Sequence, residues 1–126
     1  MIPKFRAYDS GSLTRMYQPE EVMVCDGNIW IIDEDDVAGS WIVNNDLNLM
    51  QSTGLKDKNG KEIFEGDILK MAKDVYSDPT YYEIVRHRGG AYRLESNQHG
   101  CELWLRHTNC EVIGNIYENP ELLEVE

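Results

Sequence analysis

The sequence predicts a mainly β protein. It has an SH3-like small barrel in its C-terminal part, an N-terminal meander of strands and hairpins, and one short C-terminal helical turn. Three observations carry this reading. Apolar and polar residues alternate over short runs along most of the 126 residues, which is the period of a half-buried strand. Gly, Asn, Asp and Pro interrupt those runs again and again, and such punctuation fits short strands joined by turns. Only the last few residues carry a helix-start signal. Many short strands with frequent turns point to a small barrel or sandwich.

The elements follow in order. In residues 4–9, Phe5 and Ala7 alternate with charged Lys4, Arg6 and Asp9, a first strand ended by the turn at 9–12. Residues 13–17 return as its partner and Pro19 stops them. Residues 22–25 and 29–32 flank Asp26-Gly27-Asn28, and Asp-Gly permits the positive φ angles of a tight hairpin. The charged run 33–36 is a loop. Trp41-Ile42-Val43 and residues 47–50 are further strands, split by Asn44-Asn45-Asp46. Asn59-Gly60 marks a turn from which residues 61–64 climb, and Gly66 precedes the strand 68–72. Residues 81–87 and 91–95 flank Arg88-Gly89-Gly90 as a hairpin. Residues 102–106 read as a strand with Leu103 and Leu105 on one face and Trp104 on the other. Residues 110–117 alternate again. Asn119-Pro120-Glu121 then starts the helical turn, with Asn as N-cap, Pro at the first position and an acid in the first turn. Five strands after Glu65 would make the barrel. The whole chain is expected to form one domain, with residues 1–50 as an N-terminal β subdomain and 51–126 as the barrel portion.

The formal net charge is −11, from 12 Lys+Arg and 23 Asp+Glu. Residues 1–60 hold 5 basic and 10 acidic residues, and 61–126 hold 7 and 13, so the charge is spread evenly. Such a chain repels nucleic acid at long range, which disfavours general DNA or RNA binding. Three cysteines, Cys25, Cys101 and Cys110, form an odd set without a CxxC pair and read as cytosolic thiols. No run approaches the ~20 apolar residues that a membrane span requires, and no apolar segment follows the basic N-terminal residues. A cytoplasmic protein is expected.

Three blocks of the sequence resemble the YopX family. They are the opening Lys4-Phe5-Arg6-Ala7-Tyr8-Asp9, the central block from Leu49 to Ile68 with its Thr53-Gly54-Leu55-Lys56-Asp57, Asn59-Gly60 and Phe64-Glu65-Gly66-Asp67 steps, and the closing block from Glu111 to Leu123 with its Ile113-Gly114-Asn115 and Asn119-Pro120 steps. They stand in the family's order and span nearly the whole chain. The resemblance implies a mostly β fold with an SH3-like barrel and a phage or prophage accessory protein. It implies no activity and carries over no catalytic residue. The glycines and Asn-Gly steps of these blocks read as scaffold, because turns demand them.

Candidate chemistry is sparse. His99, Cys101, His107 and Cys110 fall within twelve residues, but the pattern lacks the paired C-x₂-C knuckles of structural zinc. No metal or other cofactor is expected. The run Asp33-Glu34-Asp35-Asp36 lacks the spacing of a calcium loop. There is no nucleophile elbow and no phosphate loop, so the expectation is a protein that is not an enzyme. The feature left is local charge. Arg86, Arg88 and Arg93 lie among Tyr82, Tyr92 and Trp104, the materials of protein-interface hot spots and, on small barrels, of nucleic-acid binding. These six residues are the candidate binding site.

The functional expectation is a non-enzymatic binding module that engages host or phage proteins and self-associates, most simply as a dimer. The alternative is an acidic mimic of nucleic acid, or a small-barrel nucleic-acid binder, acting on a host DNA- or RNA-handling factor.

Overall fold

The computed structural model describes residues 4–11, 14–33, 35–71, 78–87, 90–96 and 100–123. The chain divides into two units, Met1–Ser52 and Thr53–Glu126, each with its own hydrophobic core. Strands dominate both, as the alternation predicts.

In the first unit, β1 (Phe5–Asp9) lies between β2 (Arg15–Tyr17) and the first half of β6 (Asn48–Lys56). Ala7 is opposite Tyr17 on one side and Leu49 on the other. After a 3₁₀ turn at Pro19–Glu21, β3 (Val22–Cys25), β4 (Asn28–Ile32) and β5 (Trp41–Val43) form an antiparallel sheet in that order. Asp26 at φ 53° and Gly27 at φ 76° turn the chain between β3 and β4. Two consecutive residues with positive φ make the turn whose twist matches a hairpin, and Asp-Gly is a favoured pair for it. Ala7, Tyr17, Val22, Ile31 and Leu47 build the core here, with Phe5, Ile29 and Leu49 packed on it.

The second unit begins with the remainder of β6, beside β7 (Glu62–Phe64). The Thr53 hydroxyl donates to the Ile63 carbonyl at 2.8 Å. Five strands follow Glu65: β8 (Asp67–Met71), β9 (Thr80–Arg86), β10 (Tyr92–Glu95), β11 (Gly100–Glu102) and β12 (Glu111–Asn115). Their order is β11-β10-β9-β8-β12, all antiparallel, and the sheet curls as a half-barrel. Its concave face holds Ile63, Leu69, Tyr82, Ile84, Leu94, Leu103 and Cys110. A 3₁₀ turn at Pro120–Leu123 ends the described chain, where the Asn-Pro-Glu signal predicts a helical start.

The structure differs from the sequence reading at residues 102–106. Gly100–Glu102 is the strand, and Leu103–Arg106 is one turn of helix, α1. A helix puts neighbours on different sides, so Leu103 is fully buried while Trp104 and Leu105 stand 64% and 55% exposed. A strand would have sent Leu103 and Leu105 the same way. Leu and Arg are good helix formers, and an apolar run as short as Leu103-Trp104-Leu105 is ambiguous between the two periods.

Asp57 fastens the turn before β7 to β12. It is 5% exposed, and its carboxylate accepts backbone N–H groups from Asn59, Lys61 and Val112, each at 2.9 Å. Burial opposes its charge, but the donors at Val112, Lys61 and Asn59 outweigh burial and hold its carboxyl below the usual carboxylate range.

Candidate functional site

The ladder β9–β10–β11 decides where the predicted site residues go. Tyr92 is opposite Arg86, and Arg93 is opposite Val85 and Glu102. Successive residues of a strand face opposite sides of a sheet. Arg86, Tyr92 and Tyr82 therefore share the concave face, and Arg93 lies on the convex one. Tyr82 is buried in the core. Arg88 lies outside the described residues. Trp104 stands exposed on α1. The five described residues do not converge on one surface patch.

Each side of the ladder has its own charge arrangement. On the concave side, Arg86 bonds the Tyr92 hydroxyl and its Nε lies 3.8 Å from Glu65. Burial, then the charge of Glu65, pushes the Tyr92 phenol up, with Arg86 opposing. On the convex side, Arg93 reaches Glu95 at 3.0 Å and Glu102 at 2.5 Å, and His87 Nε2 lies 3.1 Å from Glu95. The Arg93 hydrogen bond is the main reason that the Glu95 carboxyl is lowered. Glu83, directly opposite Glu95, is raised by its burial. A guanidinium held between two carboxylates acts as a cross-strand clasp.

The other candidate constellations are structural where they are described. His107 Nδ1 meets the Lys56 carbonyl at 2.7 Å. The Cys110 thiol donates to the Arg106 carbonyl at 3.2 Å, and burial raises its pKa to about 11. Cys101 is raised by burial as well. His99 lies outside the described residues. In the 33–36 run, the Asp33 and Asp36 carboxylates accept the N–H groups of Asp35 and Ala38 at 3.0 and 2.9 Å, and Asp36 also accepts the Ser40 hydroxyl. These carboxylates shape their own loop. Among the described residues, no group of three or more His, Cys, Asp or Glu is placed to hold a metal ion.

A second surface emerges in the first unit. Met23 is opposite Trp30, Trp30 is opposite Val43, and Ile32 is opposite Trp41. In-register partners share a face, so these five residues line one side of the β3-β4-β5 sheet. The other side carries Val22 and Ile31 into the core. Met23 and Val43 are 41% and 44% exposed, and Trp30, Ile32 and Trp41 are half-buried. The Trp30 indole N–H donates to the Cys25 carbonyl at 3.3 Å, which ties its ring to β3. The result is an apolar sheet face carrying two tryptophans and bearing Met23 and Val43 in solvent. A sheet with one solvated face normally carries polar residues there.

Reading each strand for its inward residues missed this surface. The signal was present: the runs Val22-Met23-Val24-Cys25, Ile29-Trp30-Ile31-Ile32 and Trp41-Ile42-Val43 are apolar at both parities. An antiparallel hairpin with both parities apolar has two faces to cover.

Comparison with known proteins gives a family and a fold. The family model described as "YopX protein" matches residues 4–124. The crystal structure of protein EF1440 from Enterococcus faecalis is 35% identical, with a TM-score of 0.68 over 98% of this chain and 99% of that one. The crystal structure of protein yopX from Bacillus subtilis is 20% identical, with a TM-score of 0.66 over 95% and 97% of the two chains, and shows likeness of fold alone. No curated protein sequence matches.

Proposed function

The chain belongs to the YopX family, and from that premise we propose that it is a non-enzymatic binding module acting through protein–protein contacts. One observation carries the reading: the outer face of β3-β4-β5 presents Met23, Trp30, Ile32, Trp41 and Val43 together. Contiguous exposed apolar surface marks interaction sites, and tryptophan is enriched among the residues that dominate binding energy. The half-barrel is taken as an SH3-like barrel left open between β11 and β12.

Self-association through the arginine hairpin has less support, because Arg93 is engaged with Glu95 and Glu102. The acidic-mimic reading rests on the net charge of −11 and predicts a different competitor, duplex DNA.

A photoreactive residue at position 43, with one at Lys58 as control, tests the module. In a lysate of the source organism, position 43 should give a discrete adduct that Met23→Thr removes and duplex DNA does not compete. No adduct from position 43, or the same adducts from both positions, would contradict the reading. An adduct lost to DNA would favour mimicry.

A further inference from the structure

The apolar face sits in the most one-sidedly charged stretch of the chain. Glu20 and Glu21 precede β3, Asp26 forms its turn with β4, the run 33–36 joins β4 to β5, and Asp46 follows β5; no Lys or Arg falls between positions 20 and 46. Glu21 is engaged with Arg15 at 2.5 Å. Asp36 is held ionised by the Ser40 hydroxyl and the Ala38 N–H. An apolar centre within acidic surroundings selects its occupant by charge. Unlike charges steer association and like charges across an interface are penalised, and exposed charges act over a screening length of about 8–10 Å. A second copy would set one acidic sheet against another. A nucleic acid or an anionic bilayer would meet the same repulsion. A polypeptide with apolar side chains and flanking Lys or Arg satisfies both the face and its surroundings.

We propose that the outer face of β3-β4-β5 docks a cationic, apolar segment of a partner protein, with Met23, Trp30, Trp41 and Val43 as the apolar contacts and Asp26, Asp33, Asp35, Asp36 and Asp46 as the charge selectors. This rests on the binding-module reading and names the partner's chemistry. Trp30 and Trp41 serve as reporters. Trp104→Phe leaves them as the only two of the chain's three tryptophans.

The experiment titrates the Trp104→Phe protein with three short synthetic helical peptides, patterned Leu/Lys, Leu/Glu and Ser/Lys, at low and moderate salt, and follows tryptophan emission. The Leu/Lys peptide should bind with a blue shift and weaken as salt rises. Met23→Thr with Val43→Thr should weaken it about tenfold or more, the scale of losing interface hot spots, while circular dichroism stays that of the parent, because Thr is at home in strands. Equal affinity for Leu/Glu, or for Ser/Lys, would overturn the proposed chemistry while leaving a binding face in place. Unchanged Leu/Lys affinity in the double variant would move binding off this face. No emission change with any of the three would overturn the proposal together with the module reading. Sedimentation of the protein alone reads out the remaining occupant: a dimer broken by Met23→Thr with Val43→Thr would replace the cationic partner by a second copy.

Discussion

Two carboxylates show how differently one residue type can act in this fold. Asp57 is buried and accepts three backbone N–H groups. Asp57→Ala strands those donors, each a cost of about 1–3 kcal/mol when left unsatisfied. Urea denaturation should therefore show a loss of about 3 kcal/mol, and Asp57→Asn, which keeps one acceptor oxygen, a smaller one. Its lowered carboxyl also means that the stability it brings is present above the unfolded-state range and disappears as pH falls through the folded value. Glu83 is the opposite case. Its carboxyl is raised by burial, so the folded state is penalised when Glu83 is charged, and the penalty disappears as pH falls through its folded value. Glu83→Gln should raise the Tm at neutral pH, with the advantage shrinking as pH falls through the raised folded value of Glu83 and gone below the ordinary carboxylate range. A constant advantage at every pH would show that charge is not the cause. Neither role was legible in the sequence, where Asp57 is one turn residue among several and Glu83 one of many acids. Burial and a donor 55 positions away at Val112 separate them.

At the level of elements, the turns and alternating runs were legible and one apolar run was not. Asp26-Gly27 turns as its dipeptide requires, and four of the strands expected after Glu65 stand where the alternation puts them, while the one expected at 102–106 lies instead at Gly100–Glu102. Leu103-Trp104-Leu105-Arg106 folded as a helical turn because burying Leu103 alone satisfies the core. The closing Gly114-to-Pro120 segment has a reason that only three dimensions supply. The ladder of β12 on β8 shifts between Val112 and Gly114. There a Cβ on Gly114 would lie 2.5 Å from Asn119 Oδ1 and 2.9 Å from its Cβ. That oxygen accepts the Asn115 N–H at 3.3 Å, so Asn119 serves β12. Gly114→Ala must displace Asn119, and overpacking of this kind costs about 1–3 kcal/mol. Thermal denaturation should show a lower Tm, and a variant as stable as the parent would mean that Asn119 moves freely.

For the molecule as a whole, charge and family were legible early, whereas the site needed the sheets. Composition gives −11, and the opening, central and closing blocks give the family that residues 4–124 match. Linear proximity grouped Arg86 and Arg93, but alternation sends them to opposite faces of the half-barrel. The apolar face arose from three strands whose outward residues meet only through their register. Among the described residues, no helix is long and apolar enough to cross a membrane. The proposed binding lies on β3-β4-β5 and not on the arginine-bearing ladder, and hydrogen exchange followed by mass spectrometry, with and without saturating Leu/Lys peptide, separates the two. Exchange should slow across Val22–Cys25, Asn28–Ile32 and Trp41–Val43, with Thr80–Arg86 and Tyr92–Glu95 unchanged. Protection confined to the ladder, or none anywhere, would contradict it.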